Sequence, residues 1–140
     1  MVNAKLQKQY GLFIDGEFVP ASDGGTFEAH NPANGEVLAA CAEATKEDVD
    51  KAVAAARRAL ASWRHTSPIE RQNYLLKIAD IIDENAEHLA LVETLDNGKP
   101  IRETSAVDIP MGSDHFRYFA GCIRAQEGTA TMLDDNTKIG

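Results

Sequence analysis

The stretch that most constrains the fold is residues 67–100, which carries the signals of a long helix with both ends marked. Ser67 and Glu70 have the spacing of a capping box, in which each side chain accepts a hydrogen bond from the other residue's backbone N–H. Pro68 suits the first helical position, and Gly98 followed by Pro100 marks the end. Apolar residues recur at steps of three and four, or their sums, and predict one apolar stripe: Leu75, Ile78, Ile82, Leu89 and Val92. A stripe of this length needs a surface to pack against.

The composition favours a single globular domain that binds neither nucleic acid nor membranes. The 140 residues carry a net charge of −8, whereas phosphate binding requires clustered Lys and Arg. No apolar run approaches the ~20 residues of a membrane span, and the N-terminus lacks the apolar region of a signal peptide. Cys41 and Cys122 form no disulfide framework, which favours a reducing, cytoplasmic setting.

Short strands are expected before the first helix. Residues 1–9 are polar and predict a frayed arm. Asp15-Gly16 lies between short apolar runs and predicts a β-hairpin, because both turn residues need positive φ. Thr26–His30 predicts a second short strand, and residues 36–42, EVLAACA, are either a strand or the approach to a helix.

Two further helices are expected on either side of the long one. The first spans residues 45–64, with Thr45 as the cap and Asp48 in the capping-box position. With the helix over residues 68–96 it should form an αα-hairpin. The third runs from about 101 to about 127 and should be kinked or divided at Pro110, because proline removes a backbone hydrogen bond. Residues 128–140 form a polar tail that is either the start of a strand or disordered.

Each residue that could carry chemistry also has a plainer structural interpretation. A nucleophilic Cys122 would need a lowered pKa, but its neighbours Phe119 and Ile123 favour a buried, inert role, and Cys41 has the same interpretation. The histidines lack metal-binding spacing, and a structural role is favoured for all four: His30, His65, His88 and His115. The acidic residues of the long helix lie on its outward side, and no glycine-rich phosphate loop occurs. Residue spacing alone predicts a helix-rich acidic domain and indicates no catalytic mechanism.

Several segments, in order, resemble the N-terminal quarter of the aldehyde dehydrogenase superfamily. They are FIDGEFV, HNPANGEVLA, EDVDKAVAAARRALASW, SPIERQNYLLKIADIIDEN, LDNGKP and DHFRYFAGCIRAQEG. The resemblance runs from residue 13 to about 137. IRETSAVDIP and DHFRYFAGCIRAQEG are most similar to bacterial enzymes acting on acetaldehyde and other short aliphatic aldehydes. The last residues, NTKIG, leave the family pattern at about Lys138, which is consistent with a truncation or frameshift.

The resemblance implies an α/β fold with a Rossmann-type nucleotide-binding domain. Residues 1–140 would be the N-terminal part of that domain. They comprise the arm 1–9, short strands over 12–42, including a β-hairpin, three long helices over 45–127 and the tail 128–140. In the family these strands and helices pack on one face of a parallel sheet. Residues 1–140 would contain the strands and helices but not the sheet. The apolar residues facing that sheet would then be partly uncovered: Leu75, Ile78, Ile82, Leu89, Phe116 and Phe119.

The resemblance also implies oxidation of an aldehyde to a carboxylic acid with NAD or NADP. In the family a Cys thiolate attacks the aldehyde, hydride passes to nicotinamide, and a Glu activates water to hydrolyse the thioester. None of those residues has a matching position here, so no catalytic and no cofactor-binding residue is assigned. The chain alone is expected to be inactive, and to associate as a homo-oligomer or with a full-length subunit.

One family site falls partly within the chain. Several members hold a monovalent cation, Na⁺ or K⁺, and the matching positions are the carbonyls of Ala29 and His30 and the carboxylate of Asp96. Oxygen ligands of this kind suit hard cations. The family's remaining protein ligand would lie beyond Gly140, which would leave the site incomplete.

Three functional interpretations follow. The first is the N-terminal portion of an aldehyde dehydrogenase, and the second is a non-catalytic interaction module that docks on a full-length paralogue. The third is a free-standing helical scaffold, which requires the helices to pack unlike the family. A reading frame that continues beyond Gly140 with family motifs would favour the first over the second.

Overall fold

The computed structural model describes residues 5–132 and 137–139. Five short strands lie between residues 9 and 42, and helices follow as far as residue 124. The strands are β1 (Gln9–Tyr10), β2 (Leu12–Ile14), β3 (Glu17–Val19), β4 (Thr26–His30), β5 (Val37–Ala42), β6 (Thr131–Met132) and β7 (Lys138–Ile139). The helices are α1 (Lys46–Trp63), α2 (Pro68–Glu84), α3 (Ala86–Asn97), α4 (Ile101–Glu103) and α5 (Ile109–Arg124), with a π-helical turn over Thr104–Asp108.

The predicted hairpin is present. Asp15 and Gly16 have φ angles of 57° and 87°, so the two-residue turn pairs β2 with β3 in antiparallel register. Positive φ at both central residues matches the right-handed twist of the flanking strands.

A second sheet has the strand order β1–β5–β4. Residues 36–42 therefore contribute a strand rather than the approach to a helix. The frayed arm over 1–9 is wrong at its C-terminal end, because Gln9 lies in β1 and pairs with Ala40 in parallel. The Ala40 N–H also donates to the Lys8 carbonyl over 3.0 Å. This pairing satisfies backbone groups that β5 would otherwise leave open at its edge. Residues 1–4 lie outside the described part.

Helix α1 begins at its predicted cap. Thr45 Oγ1 accepts from the Asp48 N–H over 3.4 Å, and the Asp48 carboxylate accepts from the Thr45 N–H over 2.9 Å. The predicted αα-hairpin is wrong, because α1 does not pack along α2. The two helices meet near their linker, where the ring centroids of Trp63 and Tyr74 are 5.5 Å apart.

The single long helix over residues 68–96 is also wrong, because Asn85 divides it into α2 and α3. Asn85 has φ −110° and ψ 13°, and its Nδ2 donates to the Ile81 carbonyl over 2.8 Å. Asparagine competes with the helix for backbone hydrogen bonds, so it can end a helix whose apolar periodicity continues. The Ser67–Glu70 capping box and the left-handed Gly98, with φ 79°, are both as predicted.

Residues 101–124 are helical without a break, and the predicted irregularity near Pro110 takes the form of a π-helical turn. The π-helical turn Thr104–Asp108 ends just before Pro110, which occupies the first turn of α5. Thr104 is fully buried, and its Oγ1 lies 2.9 Å from Thr94 Oγ1, which ties the turn to α3. Helix α5 ends at Arg124, three residues before the predicted end. The tail contributes β6, which pairs with β7.

The main packing is between α2 and α5. Ala79 and Ala120 are completely buried there, and Gln72 Nε2 donates to the Ala120 carbonyl over 3.1 Å. The Arg117 guanidinium lies 2.8 Å from the carboxylates of both Asp80 and Asp83. Small residues allow the two backbones to approach closely, while the ion pairs fix their relative position.

The core is thin, as the predicted uncovered apolar face implies. Within the described residues the buried apolar side chains are all alanines: Ala21, Ala39, Ala55, Ala79, Ala90 and Ala120. Ile78 and Phe119 are exposed. Leu75, Ile82, Leu89 and Phe116 are half-buried.

Two glycines are expected to respond oppositely to alanine. A Cβ at Gly11 would lie 2.7 Å from the Val19 carbonyl oxygen, a backbone atom that cannot move aside easily, whereas nothing lies within 4 Å at Gly121 in α5. Gly11→Ala should therefore destabilise the chain by about 1–3 kcal/mol. Gly121→Ala should stabilise it by about 0.8 kcal/mol, the difference in helix propensity. Urea unfolding measures both, and shifts of the same sign would contradict this account.

Candidate functional site

A cavity of about 160 Å³ is lined by residues of the β1–β5–β4 sheet and of α3. Ala39 and Cys41 lie two positions apart on β5 and so share one face of the sheet. Glu93 and Asp96 are three positions apart on α3 and share one face of the helix. The full lining is Leu6, Tyr10, Ala29, Leu38, Ala39, Cys41, Val92, Glu93 and Asp96.

The loop after α3 lies against the turn that follows β4. Gly98 has φ 79°, and a Cβ there would lie 3.0 Å from Pro32 Cγ. The Asn97 Oδ1 accepts from the Lys99 N–H over 2.8 Å, which shapes this loop. Gly98 thus serves both as the helix cap and as the point of close approach, and it brings the end of α3 beside the turn.

The turn itself is fixed by Asn31. This residue is buried, its Oδ1 accepts from the Ala33 N–H over 2.9 Å, and its carbonyl accepts from the Gly35 N–H over 2.7 Å. Gly35 has φ 76°, a conformation that side chains with a Cβ rarely adopt. The N-P-A-N-G sequence thereby holds the end of β4 in a defined position.

The electrostatics of this region favour a cation over an anion. Glu93 and Asp96 lie in the last two turns of α3, whose C-terminal carbonyls carry partial negative charge. The following cation, Lys99, is engaged elsewhere, because its Nζ donates to Asp108 over 2.8 Å and this hydrogen bond raises the pKa of Lys99. In the described part of the chain no three His, Cys, Asp or Glu side chains cluster as they would for a metal held by side chains alone.

The structure brings together two of the three residues of the predicted cation site. Ala29 and Asp96 line the same cavity, and His30 is not among its lining residues. The His30 ring is exposed, with Nδ1 3.3 Å from the Gly35 carbonyl oxygen and Nε2 3.4 Å from the Glu28 carboxylate. Convergence of the two carbonyls on the Asp96 carboxylate stays a prediction.

The expected burial of Cys122 is wrong. Cys122 is exposed on α5, while Cys41 is half-buried. The packed face of α5 passes through Ser113 and Ala120, and Cys122, two residues beyond Ala120, points away from it. His65 and His88 are both exposed. Neither thiol forms a hydrogen bond with a histidine of the described chain.

Tyr10 and Glu93 are the polar residues of this cavity that sequence reasoning missed. Tyr10 has no local signal in the sequence, because the two residues of β1 form a strand only by pairing with β5. Glu93 had a usable signal, since a position three residues before Asp96 lies on the same helical face.

The sequence profile of the aldehyde dehydrogenase family matches residues 18–139. The chain is 54% identical over 132 residues to an acetaldehyde dehydrogenase from Pseudomonas aeruginosa, a match covering 94% of this chain and 26% of that protein. It is 53% identical over 132 residues to an aldehyde dehydrogenase from Deinococcus radiodurans, with the same coverage. The chain therefore spans about a quarter of the length of the curated relatives it matches.

The fold agrees with solved structures of the same family. An NAD⁺ complex of an aldehyde dehydrogenase from Bacillus cereus superposes with a TM-score of 0.87 at 42% identity, covering 91% of this chain and 26% of that one. The helices thus pack as the family resemblance implies, which removes the interpretation as an unrelated helical scaffold. Among the residues that the structure describes, no helix combines the length and apolar character needed to cross a membrane.

Proposed function

Because this chain belongs to the aldehyde dehydrogenase family, we propose that it is the N-terminal part of an NAD(P)-dependent enzyme that oxidises aldehydes to carboxylic acids. The observation that carries the proposal is agreement in both sequence and fold over more than nine-tenths of the chain. A relative named acetaldehyde dehydrogenase, at 54% identity, supports acetaldehyde or another short aliphatic aldehyde as the substrate. The NAD⁺ complex of a neighbour supports a dinucleotide cofactor.

In this proposal residues 1–140 are a structural part of the nucleotide-binding domain and do not themselves hold the cofactor. The dinucleotide would serve the whole enzyme as hydride acceptor. The chain contains neither the dinucleotide-binding G-x-G-x-x-G motif nor a P-loop. No step of the reaction is therefore assigned to residues of this chain. Arg117 of α5 forms ion pairs with Asp80 and Asp83 of α2, which join the two helices. The cavity beside α3 is bounded on its other side by the β1–β5–β4 sheet. Two free cysteines support the cytoplasm as its location.

The 140-residue chain is expected to show no aldehyde oxidation by itself. The reaction needs a thiolate nucleophile and a base within reach of it, and neither Cys41 nor Cys122 is bonded to a histidine. The assay follows NAD and NADP reduction with acetaldehyde, with the full-length Pseudomonas aeruginosa relative as positive control. Activity that co-purifies with the chain and disappears in Cys122→Ala, but not in Cys41→Ala, would contradict the expectation.

The alternative function, a non-catalytic module that docks on a full-length paralogue, has one observation in its favour. Large apolar side chains such as Phe119 and Tyr118 are exposed on α5. Sedimentation of the chain mixed with the full-length relative distinguishes the two functions, because only the module predicts a stable complex.

We also propose that the carbonyls of Ala29 and His30, with the Asp96 carboxylate, hold Na⁺ or K⁺. The shared cavity of Ala29 and Asp96 and the C-terminal end of α3 support this. A bound cation stabilises the folded chain by mass action, so the melting midpoint should be a few °C higher, on the order of 3–5 °C, in NaCl or KCl than in tetramethylammonium chloride of equal ionic strength.

Asp96→Asn should abolish this difference between salts, and Asp50→Asn, an exposed carboxylate on α1, should preserve it. Equal midpoints in all three salts for the unmodified chain would reject the cation site without affecting the family assignment.

A further inference from the structure

The Asn97-Gly98 dipeptide at the end of α3 places a side-chain amide beside the backbone groups that could react with it. Gly98 has no side chain, so no Cβ hinders the approach of its backbone nitrogen to the Asn97 amide. The Lys99 N–H donates to Asn97 Oδ1 over 2.8 Å, and Asn97 Nδ2 donates to the Glu93 carboxylate. These partners all lie within residues 93–99, so the arrangement does not depend on packing elsewhere in the molecule.

We propose that Asn97 is a site of spontaneous deamidation, and that the reaction releases the loop after α3 from the turn over residues 31–35. The Gly98 N–H loses its proton to water or hydroxide, and the nitrogen attacks Asn97 Cγ. The new N–Cγ bond closes a cyclic imide, the Cγ–Nδ2 bond breaks, and ammonia leaves. Water then opens the imide at either of its carbonyls, which leaves aspartate or isoaspartate at position 97. The net change consumes water and releases ammonia, and it does not depend on the catalytic assignment above.

The hydrogen bonds around Asn97 favour this attack. Negative charge develops on Oδ1 when the nitrogen adds to Cγ, and the Lys99 N–H already donates to that oxygen. The same bond holds the side chain turned towards the backbone that must attack it, which lowers the entropic cost of the reaction. Attack requires the Gly98 N–H to leave the Thr94 carbonyl, to which it donates over 3.0 Å. That bond closes the last turn of α3, and helix ends open readily.

The other Asn-Gly pair of the sequence, Asn34-Gly35, provides a comparison within the same chain. The Asn34 Oδ1 likewise accepts from the N–H two residues later, that of Glu36, over 3.0 Å. The Gly35 N–H, however, donates over 2.7 Å to the carbonyl of buried Asn31, and the Asn31 N–H donates to the Glu36 carbonyl over 2.9 Å. This turn joins the paired strands β4 and β5. Freeing the Gly35 nitrogen therefore requires more of the structure to open than freeing the Gly98 nitrogen does.

Deamidation of Asn97 would weaken the contact between the two loops. The new carboxylate would face Glu93 four residues earlier, where the amide now donates, and would lie at the negative end of α3. Isoaspartate would also lengthen the main chain immediately before Gly98. That position has little spare room, because a Cβ on Gly98 would lie 3.0 Å from Pro32 Cγ. The loop would therefore move away from the turn over residues 31–35 and leave that turn less well supported.

Peptide mapping of the incubated chain tests the proposal without any substitution. Trypsin places Asn97 in the peptide 78–102 and Asn34 in the peptide 9–46, mass spectrometry locates each amide-to-acid change, and enzymatic methylation detects isoaspartate. In the folded chain we expect Asn97 to react at least about 10-fold faster than Asn34, because the end of a helix opens more often than an anchored turn. In urea the two rates should become similar. Asn85, within the peptide 78–102, is the internal control and should stay intact, because the Cβ of Ala86 hinders attack.

Two variants test the chemistry and its consequence. Asn97→Gln, whose longer side chain cannot close the same ring, should stop the reaction at this position, whereas Asn34→Gln should leave the rate at Asn97 unchanged. Asn97→Asp mimics one product and should speed the reaction of Asn34 several-fold. Circular dichroism establishes that the variants keep their helices.

An intact Asn97 in the folded chain after complete reaction in urea would overturn the proposal, as would faster reaction at Asn34 than at Asn97. An unchanged rate at Asn34 in Asn97→Asp would overturn its second half, the release of the loop.

Discussion

Replacing Asp48 with alanine is expected to lower the melting midpoint by roughly 5–10 °C, because one half of the α1 capping box and the bonds to Ser22 are lost together. Asp48 is 3% exposed, and its carboxylate accepts from the Ser22 N–H over 3.1 Å and from the Thr45 N–H and hydroxyl, each over 2.9 Å. It also accepts from the Ser22 hydroxyl. The substitution therefore removes the Asp48 half of the α1 capping box and releases the loop around Ser22 at the same time.

Asp50→Ala is the matched control for this effect. Asp50 lies two residues further along α1 and forms an exposed pair with Lys46, which is worth little because both groups are solvated. The melting midpoint of Asp50→Ala should stay close to that of the wild type. A drop for Asp50→Ala as large as that for Asp48→Ala would show that loss of negative charge near the start of α1, rather than the Asp48 hydrogen bonds, sets the stability.

The Asp48 contribution should also depend on pH. Its hydrogen bonds, that from the Ser22 hydroxyl above all, lower the pKa of Asp48 far below its ordinary value of 3.8. A carboxylate with a lowered folded-state pKa stabilises the chain fully above the unfolded-state value, and this stabilisation is lost as the pH falls. The stability difference between wild type and Asp48→Asn should therefore be constant at neutral pH and shrink below about pH 4. A difference that grows on acidification would reject this mechanism.

Enlarging Ala79 is expected to destabilise the chain by about 1–3 kcal/mol, the usual cost of overpacking. Ala79 and Ala120 are fully buried where α2 meets α5, the largest contact between helices in the structure. A leucine at 79 must push the two backbones apart, which would also strain the Arg117 pairs to Asp80 and Asp83.

Ala61→Leu, at an exposed position of α1, controls for helix propensity and should change the free energy of unfolding by less than about 0.5 kcal/mol. Chemical denaturation followed by circular dichroism gives both values. Equal free energies for Ala79→Leu and the wild type would mean that the α2–α5 contact is loose enough to accept the larger side chain.

Local signals were read correctly from the sequence because the residues that create them are close together. The Ser67–Glu70 and Thr45–Asp48 capping boxes and the Asp15-Gly16 turn all depend on groups within four residues of one another. The break at Asn85 was missed for the opposite reason, since the apolar spacing continues through it and only the side-chain bond to Ile81 shows that the helix stops.

Features that depend on distant partners could not be predicted from the sequence. Strand β1 exists because Gln9 meets Ala40, thirty-one positions away in the chain. Helical periodicity shows that α5 has apolar faces but not which of them is covered, so the exposure of Cys122 was missed. At the candidate site, Ala29 and Asp96 were identified through family resemblance, whereas Tyr10 required the fold.

The π-helical turn before Pro110 determines the rotational phase of α5. Each residue of an α-helix advances by about 100° around the axis, and a π turn accommodates one residue more than an α turn. Without that extra residue every side chain after Asp108 would be rotated by about 100°, so that Ala120 would no longer face α2. Residues 104–108 therefore set which side of α5 becomes interior and which becomes surface, although they belong to neither face.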